Sequence, residues 1–486
     1  MYHIAAFAGK CYDRSIEKNK RLTMEHEELE HGNLTQGPIL QVLIRLALPI
    51  MASAFLSTAY SITDMAWIGM LGSKAVAGVG VGGMYGWLSS GLATLPRMGG
   101  QVRVAQAMGR GDKVSARKYA AASLQMATVF GILFGAVCLL FTKTLVDFFQ
   151  VEDPVTVRYA QEYLWIACGL VVFQYISYVL TGLYTALGDS RTPLKANFIG
   201  LILNMVLDPI LILGIGPFPR LEVIGAAIAT VFAQIVACIV LVMDVIRAKR
   251  GTNLLQTMPM GQIHEQKIYG GIASIGIPSS LQSMLYCGIS MVLTRMVSAF
   301  GDAAIATQRV GGQIESVSWN TADGFAAAMN AFAAQNYGAG NMDRVKKGYR
   351  ISFITMTVWG LLILALFELL PTQLSEIFFH EADVIPVMVN YFVIIGLCEP
   401  FMCVELMAVG AISGLGKTKV CSAISIIFTG MRIPLAMILS RTALGLDGIW
   451  WALTITSIMK GVILHLTFYH ECKVSQAELD GMQSEQ

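Results

Sequence analysis

Three polar side chains stand where they are costly. Asp64 lies in TAYSITDMAWIGMLG and is the only charge between Arg45 and Lys74. Asn204 and Asp208 lie in ANFIGLILNMVLDPILILGIG, an apolar run of roughly membrane-spanning length. Residues four apart share one face of an α-helix, so Asn204 and Asp208 point the same way. Pro209 follows directly; a proline there is expected to break the helix ladder and free the carbonyl of Met205. Ionisable groups at membrane depth mark proton or ion sites by default. The plainer role is an interhelical hydrogen bond that helps a bundle pack. If the two stretches are neighbours, Asp64, Asn204 and Asp208 form one polar cluster. Two carboxylates in one apolar site cannot both ionise cheaply, which suits a proton carrier. The same oxygens suit a bare Na⁺, a hard cation that prefers oxygen ligands.

The elements that must hold these residues are membrane helices. The chain has 486 residues, 55% hydrophobic and 14% charged, with mean hydropathy +0.61. Soluble proteins carry about 25% charged residues, so the excess apolar surface must face lipid. The net charge of +2 gives no reason to expect nucleic acid. Twelve apolar segments follow one another, at 41–70, 76–101, 119–142, 160–187, 194–215, 223–247, 270–299, 304–333, 348–370, 386–413, 418–440 and 446–470. Loops after even-numbered spans hold seventeen Lys and Arg, among them Arg110, Lys118, Arg191, Arg250, Lys347 and Lys417; loops after odd-numbered spans hold five. The positive-inside rule then puts even loops and both termini in the cytoplasm of a cell (inner) membrane. MYHIAAFAG is too short and lacks a basic leader for a cleavable signal, and Met24 is an alternative start.

The chain repeats itself. Pro49 matches Pro278, Leu71-Gly72 with Ala77 matches Phe300-Gly301 with Ala306, and QAMGRGD (Gln106, Gly109, Gly111) matches QNYGAGN (Gln335, Gly338, Gly340), each at an offset of 229 residues. Ala186-Leu187-Gly188 matches Gly414-Leu415-Gly416 at 228. The expected fold is therefore an all-α membrane protein of twelve transmembrane helices in two pseudo-symmetric six-helix lobes. The divisions are a polar tail 1–35, a first lobe 36–250, a cytoplasmic linker 251–269, a second lobe 270–472 and a polar tail 473–486. Parallel halves of this kind typify secondary transporters that rock about a site between or within the lobes.

The acid cluster is not duplicated. Leu293 stands where Asp64 would repeat, and Arg432 and Ala436 stand near the positions matching Asn204 and Asp208. The second half has its own acids: Glu315 and Asp323 in span 8, Glu399 and Glu405 in span 10. Glu399 precedes Pro400, so a helix break is expected there. These four are candidates for contacting a cationic substrate or forming a second polar site; the plainer reading is pairing with Arg432 or with other interhelical polar groups. Aromatic residues such as Tyr60, Trp67, Tyr175, Tyr184 and Trp319, with 26 Met, suit an adaptable pocket for lipophilic cations, though helix packing explains most of them. The nine cysteines form no CxxC, and buried thiols are expected rather than disulfides or a metal site. No GxxxxGK[ST] loop, HExxH or Gly-rich strand–helix fingerprint is present, so neither an ATPase nor another enzyme is expected, and no cofactor.

Taken together, these motifs resemble those of the multidrug and toxic compound extrusion (MATE) transporters. The resemblance covers residues 35–472 and rests on Asp64 followed by Leu71-Gly72 and Ala77, the Gln-x-x-Gly-x-Gly loops at 106 and 335, Leu187–Pro193 (LGDSRTP), Asn204-x-x-x-Asp208-Pro209, and Gly448–Ala452 (GIWWA). It implies that Asp64, Asn204 and Asp208 fall on the cation-coupling cluster of the first lobe, with Thr181 and Tyr60 at two further family positions. The first-half cluster looks most like the DNA-damage-inducible protein F branch. Span 7 holds no acid over Ile272–Phe300, unlike the Na⁺-coupled branch. The function implied is a monomeric antiporter that exports organic, often cationic, small molecules across the lipid bilayer in exchange for H⁺, with Na⁺ as the other candidate ion. A lipid-linked oligosaccharide flippase of the same superfamily is the alternative; such a flippase should carry a cationic lumen, and the first-half charges are acidic.

Overall fold

The computed structural model describes residues 33–151, 153–215, 218–247, 254–378 and 384–484. Residues 1–32, including most of the N-terminal tail and Met24, lie outside that range. All regular structure among the described residues is helical. The first lobe comprises α1 (Ile39–Gly69), α2 (Ser73–Gly109), α3 (Lys113–Asp147), α4 (Pro154–Tyr163), α5 (Val172–Ala186), α6 (Arg191–Leu213) and α7 (Glu222–Arg247). The second comprises α8 (Gln266–Ser298), α9 (Asp302–Gly338), α10 (Met342–Leu369), the short α11 (Pro371–Glu376), α12 (Val384–Gly396), α13 (Glu399–Gly414), α14 (Thr418–Leu439) and α15 (Leu446–Ser484).

Every expected span has its helix or bent pair. Among the described residues, seven helices are individually long and apolar enough to cross a bilayer. Two bent pairs, α4 with α5 (48°) and α12 with α13 (49°), bring the number to nine. The remaining three, α2, α8 and α9, are long but more polar, because they form the seam between the lobes. Within span 4, a π-turn at Leu164–Cys168 precedes the bend, and such turns occur where a helix must yield locally. The bend in span 10 falls at Leu397–Cys398, directly before Glu399-Pro400, where the missing proline N–H led to the expectation of a helix break. The expected break at Pro209 does not occur: α6 runs unbroken through it to Leu213. A proline removes one ladder bond, and the flanking turns hold the helix together when neighbours support them. The last helix extends beyond the span into the polar C-terminal residues.

The repeat is visible in the backbone. Gly111 and Gly340, equivalent in the two halves, adopt left-handed φ of +75° and +74°, a conformation that glycine enters without penalty. They end α2 and α9 in the same turn. Asp112 caps α3 by accepting from the Ser115 amide. Between the lobes, residues 258–262 fold back on α3, where Gln125 Nε2 donates to the carbonyls of Met260 and Gln262.

The lobes meet only in part. Arg103 donates to the Gly271 carbonyl at 3.1 Å, Ser280 to the Gly91 carbonyl at 2.7 Å, and Asn320 to the Thr58 hydroxyl at 3.2 Å. Gln106 Nε2 reaches the carbonyl of Gly414, and Gln335 Nε2 reaches that of Ala186. A Cβ at Gly109 would collide with the Gln335 carbonyl, and one at Gly338 with the Gln106 carbonyl. These contacts run from the even-loop ends of the helices to about their middle, with the Asn320–Thr58 pair the farthest toward the odd-numbered loops. Among the described residues, no hydrogen bond joins the lobes nearer the odd-numbered loops than this pair, so that side of the seam is the less tightly tied.

Candidate functional site

The first-lobe cluster is assembled by α1, α6, α7 and the end of α4. α1 packs along α6, so spans 1 and 5 are neighbours. Asn204 and Asp208 are buried, while Ile202 and Val206 on the opposite face of α6 are 46% and 52% exposed. That division follows from helical periodicity: apolar side chains go to lipid and the polar pair goes inward. Asp208 accepts from Asn204 Nδ2 at 3.2 Å, and the Asp64 carboxyl lies within interaction range of Asp208. Asp64 is 9% exposed and Asp208 fully buried. Both stand five residues before the ends of their helices, Gly69 and Leu213. At 1.5 Å per residue that is about 7–8 Å below the odd-loop ends.

Three oxygens here have no hydrogen-bond partner: Asp64 Oδ1, Asn204 Oδ1 and Asp208 Oδ2. No Lys, Arg or His among the described residues lies within 4 Å of either aspartate. Buried acceptors without donors cost roughly 1–3 kcal/mol each, more when charged. The arrangement therefore fits a positive particle, either a proton on a carboxyl or a small bare cation held by several oxygens.

Of the two further family positions, Tyr60 lies at the cluster. Its hydroxyl pairs with Thr230 of α7 at 3.0 Å, beside Asp64 and Asp208. For Thr181, no hydrogen bond among the described residues links it to either aspartate, and its carbonyl accepts from Thr185 one turn on. α5 turns that stretch toward α2, where Gly182 meets Arg97. Two members were not foreseen. Thr230 anchors Tyr60, and Tyr163 at the end of α4 stands near both aspartates. The π-turn after Tyr163 helps aim it, and no sequence signal announces such a turn.

Of the four second-lobe acids, Glu315 and Glu399 stand near each other around Tyr391, while Glu405 and Asp323 have other partners. Glu315 accepts from the Tyr391 hydroxyl at 3.0 Å. Glu399 is fully buried, accepts from Ser318 at 2.5 Å, and keeps Oε1 without a partner. For Glu405 the interhelical pairing expected of these acids is present, its partner being Lys460 of α15 and not Arg432, at 2.6 Å with both side chains almost fully buried. Lys460 is a charge inside an apolar span and so carried the same signal as Asp64. Asp323 stands apart, exposed and facing Arg97 of the first lobe. Tyr175 and Tyr184 are core residues, in keeping with the packing role expected of most aromatics. The eight described cysteines are all free, seven of them buried.

Comparison with known proteins places this architecture. The MatE family model matches residues 49–210 and 278–438, once in each half. The chain is 27% identical over 432 residues to a probable multidrug resistance protein NorM of Thermotoga maritima, covering 88% of this chain and 91% of that one. It is 24% identical to a FAD transporter of Shewanella oneidensis, covering 92% and 98%. A solved multidrug resistance MATE family transporter of the MOP superfamily, in an outward-facing conformation, superposes with a TM-score of 0.85 at 22% identity, covering 92% and 99%.

Proposed function

This chain belongs to the MatE family and is a multi-pass membrane transporter, not an enzyme; from that premise we propose that it exports amphipathic organic compounds, many of them cationic, by cation antiport at Asp64, Asn204 and Asp208. The observation that carries this reading is the set of three buried, unpartnered oxygens with no basic residue beside them. Such a group stores unfavourable energy until a cation arrives, which is what a coupling site requires.

Orientation gives the site its direction. With the Arg- and Lys-rich even loops in the cytoplasm, the contacts between lobes tie the cytoplasmic side and the less tightly tied side faces outward. The acid cluster then lies in the outer half of the first lobe, where an external cation can reach it. Cation binding cancels repulsion between Asp64 and Asp208 and lets α1 and α6 draw together. Rocking of the lobes about their seam then exposes the drug site to the other side.

The coupling ion is H⁺ on this reading. A proton needs one carboxyl, whereas a bare Na⁺ needs several oxygens at once, and Thr181, one of the ligands that such a shell would call on, makes no hydrogen bond to the cluster among the described residues. The assignment to the DNA-damage-inducible protein F branch rests on this cluster and on the missing acid in α8. The test is drug efflux from vesicles with an imposed pH gradient and no Na⁺, and then with the gradients exchanged. Transport driven by Na⁺ alone, indifferent to the pH gradient, would replace the proton and leave the site.

A further inference from the structure

Arg432 occupies an unusual position for a cation inside a membrane lobe. It is 7% exposed on α14, and no carboxylate among the described residues lies within 4 Å of its guanidinium. The neighbouring carboxylate Glu405 is already taken by Lys460, and Glu315 by Tyr391. Arg432 is held instead by two hydroxyls of α15: Nε donates to Thr456 Oγ1 at 3.1 Å and Nη2 to Ser457 Oγ at 2.9 Å. Thr456 in turn donates to backbone carbonyls at Ala452 and Leu453. That leaves its lone pairs for Arg432 and fixes the guanidinium in the plane.

A guanidinium has five N–H donors in a rigid fork. The two hydroxyls occupy the side bearing Nε. At the far end the Tyr286 hydroxyl stands within hydrogen-bonding range of the guanidinium; among the described residues no carboxylate takes up the remaining N–H groups. The ring of Tyr286 lies 5.9 Å from the guanidinium carbon. Tyr286 stands deep in the molecule, flanked by Arg432, Glu315 and Glu405, yet keeps 45% of its surface accessible. That accessible surface lies beside the guanidinium. In the repeat, Arg432 is 228 residues beyond Asn204, so the second lobe carries a fixed cation where the first lobe carries its acid-bound amide.

We propose that Arg432 and Tyr286 form a substrate subsite for an aromatic carboxylate, so that zwitterionic amphiphiles are bound with their acid group against the second lobe. The remaining N–H groups of the guanidinium match the two oxygens of a carboxylate, and the tyrosine face stacks on the attached ring. The subsite rests on the transporter reading above but is independent of which ion drives transport.

The test is equilibrium binding to the full chain in nanodiscs, followed by fluorescence anisotropy. The probes are rhodamine B, a zwitterion with one aromatic carboxylate, and its methyl ester, a cation of nearly the same shape. The wild type is expected to bind the acid about tenfold more tightly than the ester, as a charge-assisted pair of hydrogen bonds provides. In Arg432→Gln that preference falls to about unity while ester binding holds. Arg432→Lys keeps the charge but lacks the fork, and should retain only part of the preference. If Arg432→Gln fails to give a monodisperse protein, Arg432→Lys decides. No preference in the wild type, or a preference unchanged in the deciding variant, overturns the subsite. Ester binding that persists in those cases leaves the transporter reading in place.

Discussion

Gln101 and Asn330 occupy equivalent positions in the two halves, 229 residues apart, and they hydrogen-bond each other, Gln101 Nε2 donating to Asn330 Oδ1 at 3.0 Å. A residue that touches its own repeat mate lies on the pseudo-two-fold axis. The axis therefore passes between α2 and α9, and the reciprocal contacts of Gly109 with Gln335 and of Gly338 with Gln106 are set around it. Any rocking of the lobes must break or pivot on this group.

Gly109→Val tests that seam. Its side chain would meet the Gln335 carbonyl, and overpacking of this kind costs typically 1–3 kcal/mol. Because each 1.4 kcal/mol is about tenfold in an equilibrium, the state closed on the cytoplasmic side should lose most of its population. The expected outcome is normal membrane abundance with drug efflux reduced about tenfold or more. Efflux at the wild-type rate from the same abundance would show that this closure is not part of the cycle.

Asp208→Asn tests the coupling site. Asparagine keeps the volume and can still bond Asn204, but it cannot release or hold a cation. Coupled efflux should vanish while the variant remains folded and still binds drug. The readouts are rescue of a drug-sensitive host and dye binding to purified protein. Full rescue would remove Asp208 from the mechanism.

The Glu405–Lys460 pair makes a structural prediction. Removing one partner of a buried ion pair leaves an uncompensated charge and costs about 3–5 kcal/mol, whereas replacing both by apolar groups of similar size is often neutral. Lys460→Met alone should lower the melting temperature and yield sharply. Lys460→Met with Glu405→Leu should recover most of both. Thermal unfolding in detergent distinguishes these outcomes, and a benign single variant would mean the pair is not carrying charge.

Outside the membrane spans, Asp153 ties the start of α4 to the start of α2. Lys74 donates to it at 2.7 Å, and the Thr156 amide and hydroxyl donate to its other oxygen. Led by Lys74, these contacts hold the carboxyl down at about 2. A depressed folded value contributes stability above the unfolded value of about 3.9 and loses it as pH falls through the folded one. The melting difference between wild type and Asp153→Asn should therefore be constant near neutrality and shrink between about pH 4 and pH 2. A difference that is the same at both ends would assign the effect to something other than this charge.

What the sequence determined by itself is whatever depends on local periodicity and on the repeat. The lengths of the apolar runs placed all twelve spans, and the 229-residue offset placed the seam motifs. The four-residue spacing put Asn204 and Asp208 on one face, and the cost of burying Asp64 said that it needs a partner. The tertiary structure alone decided the contacts that depend on helix rotation and on neighbours remote in the chain. It gave Glu405 to Lys460 and left Arg432 without a carboxylate. It brought Tyr163, at the start of a π-turn, into the acid cluster. A span's composition says that a buried charge needs a partner, but many helices offer one. Which of them does is settled by tilt and rotation within the bundle, and those are set by packing over the whole lobe rather than by residues near the charge.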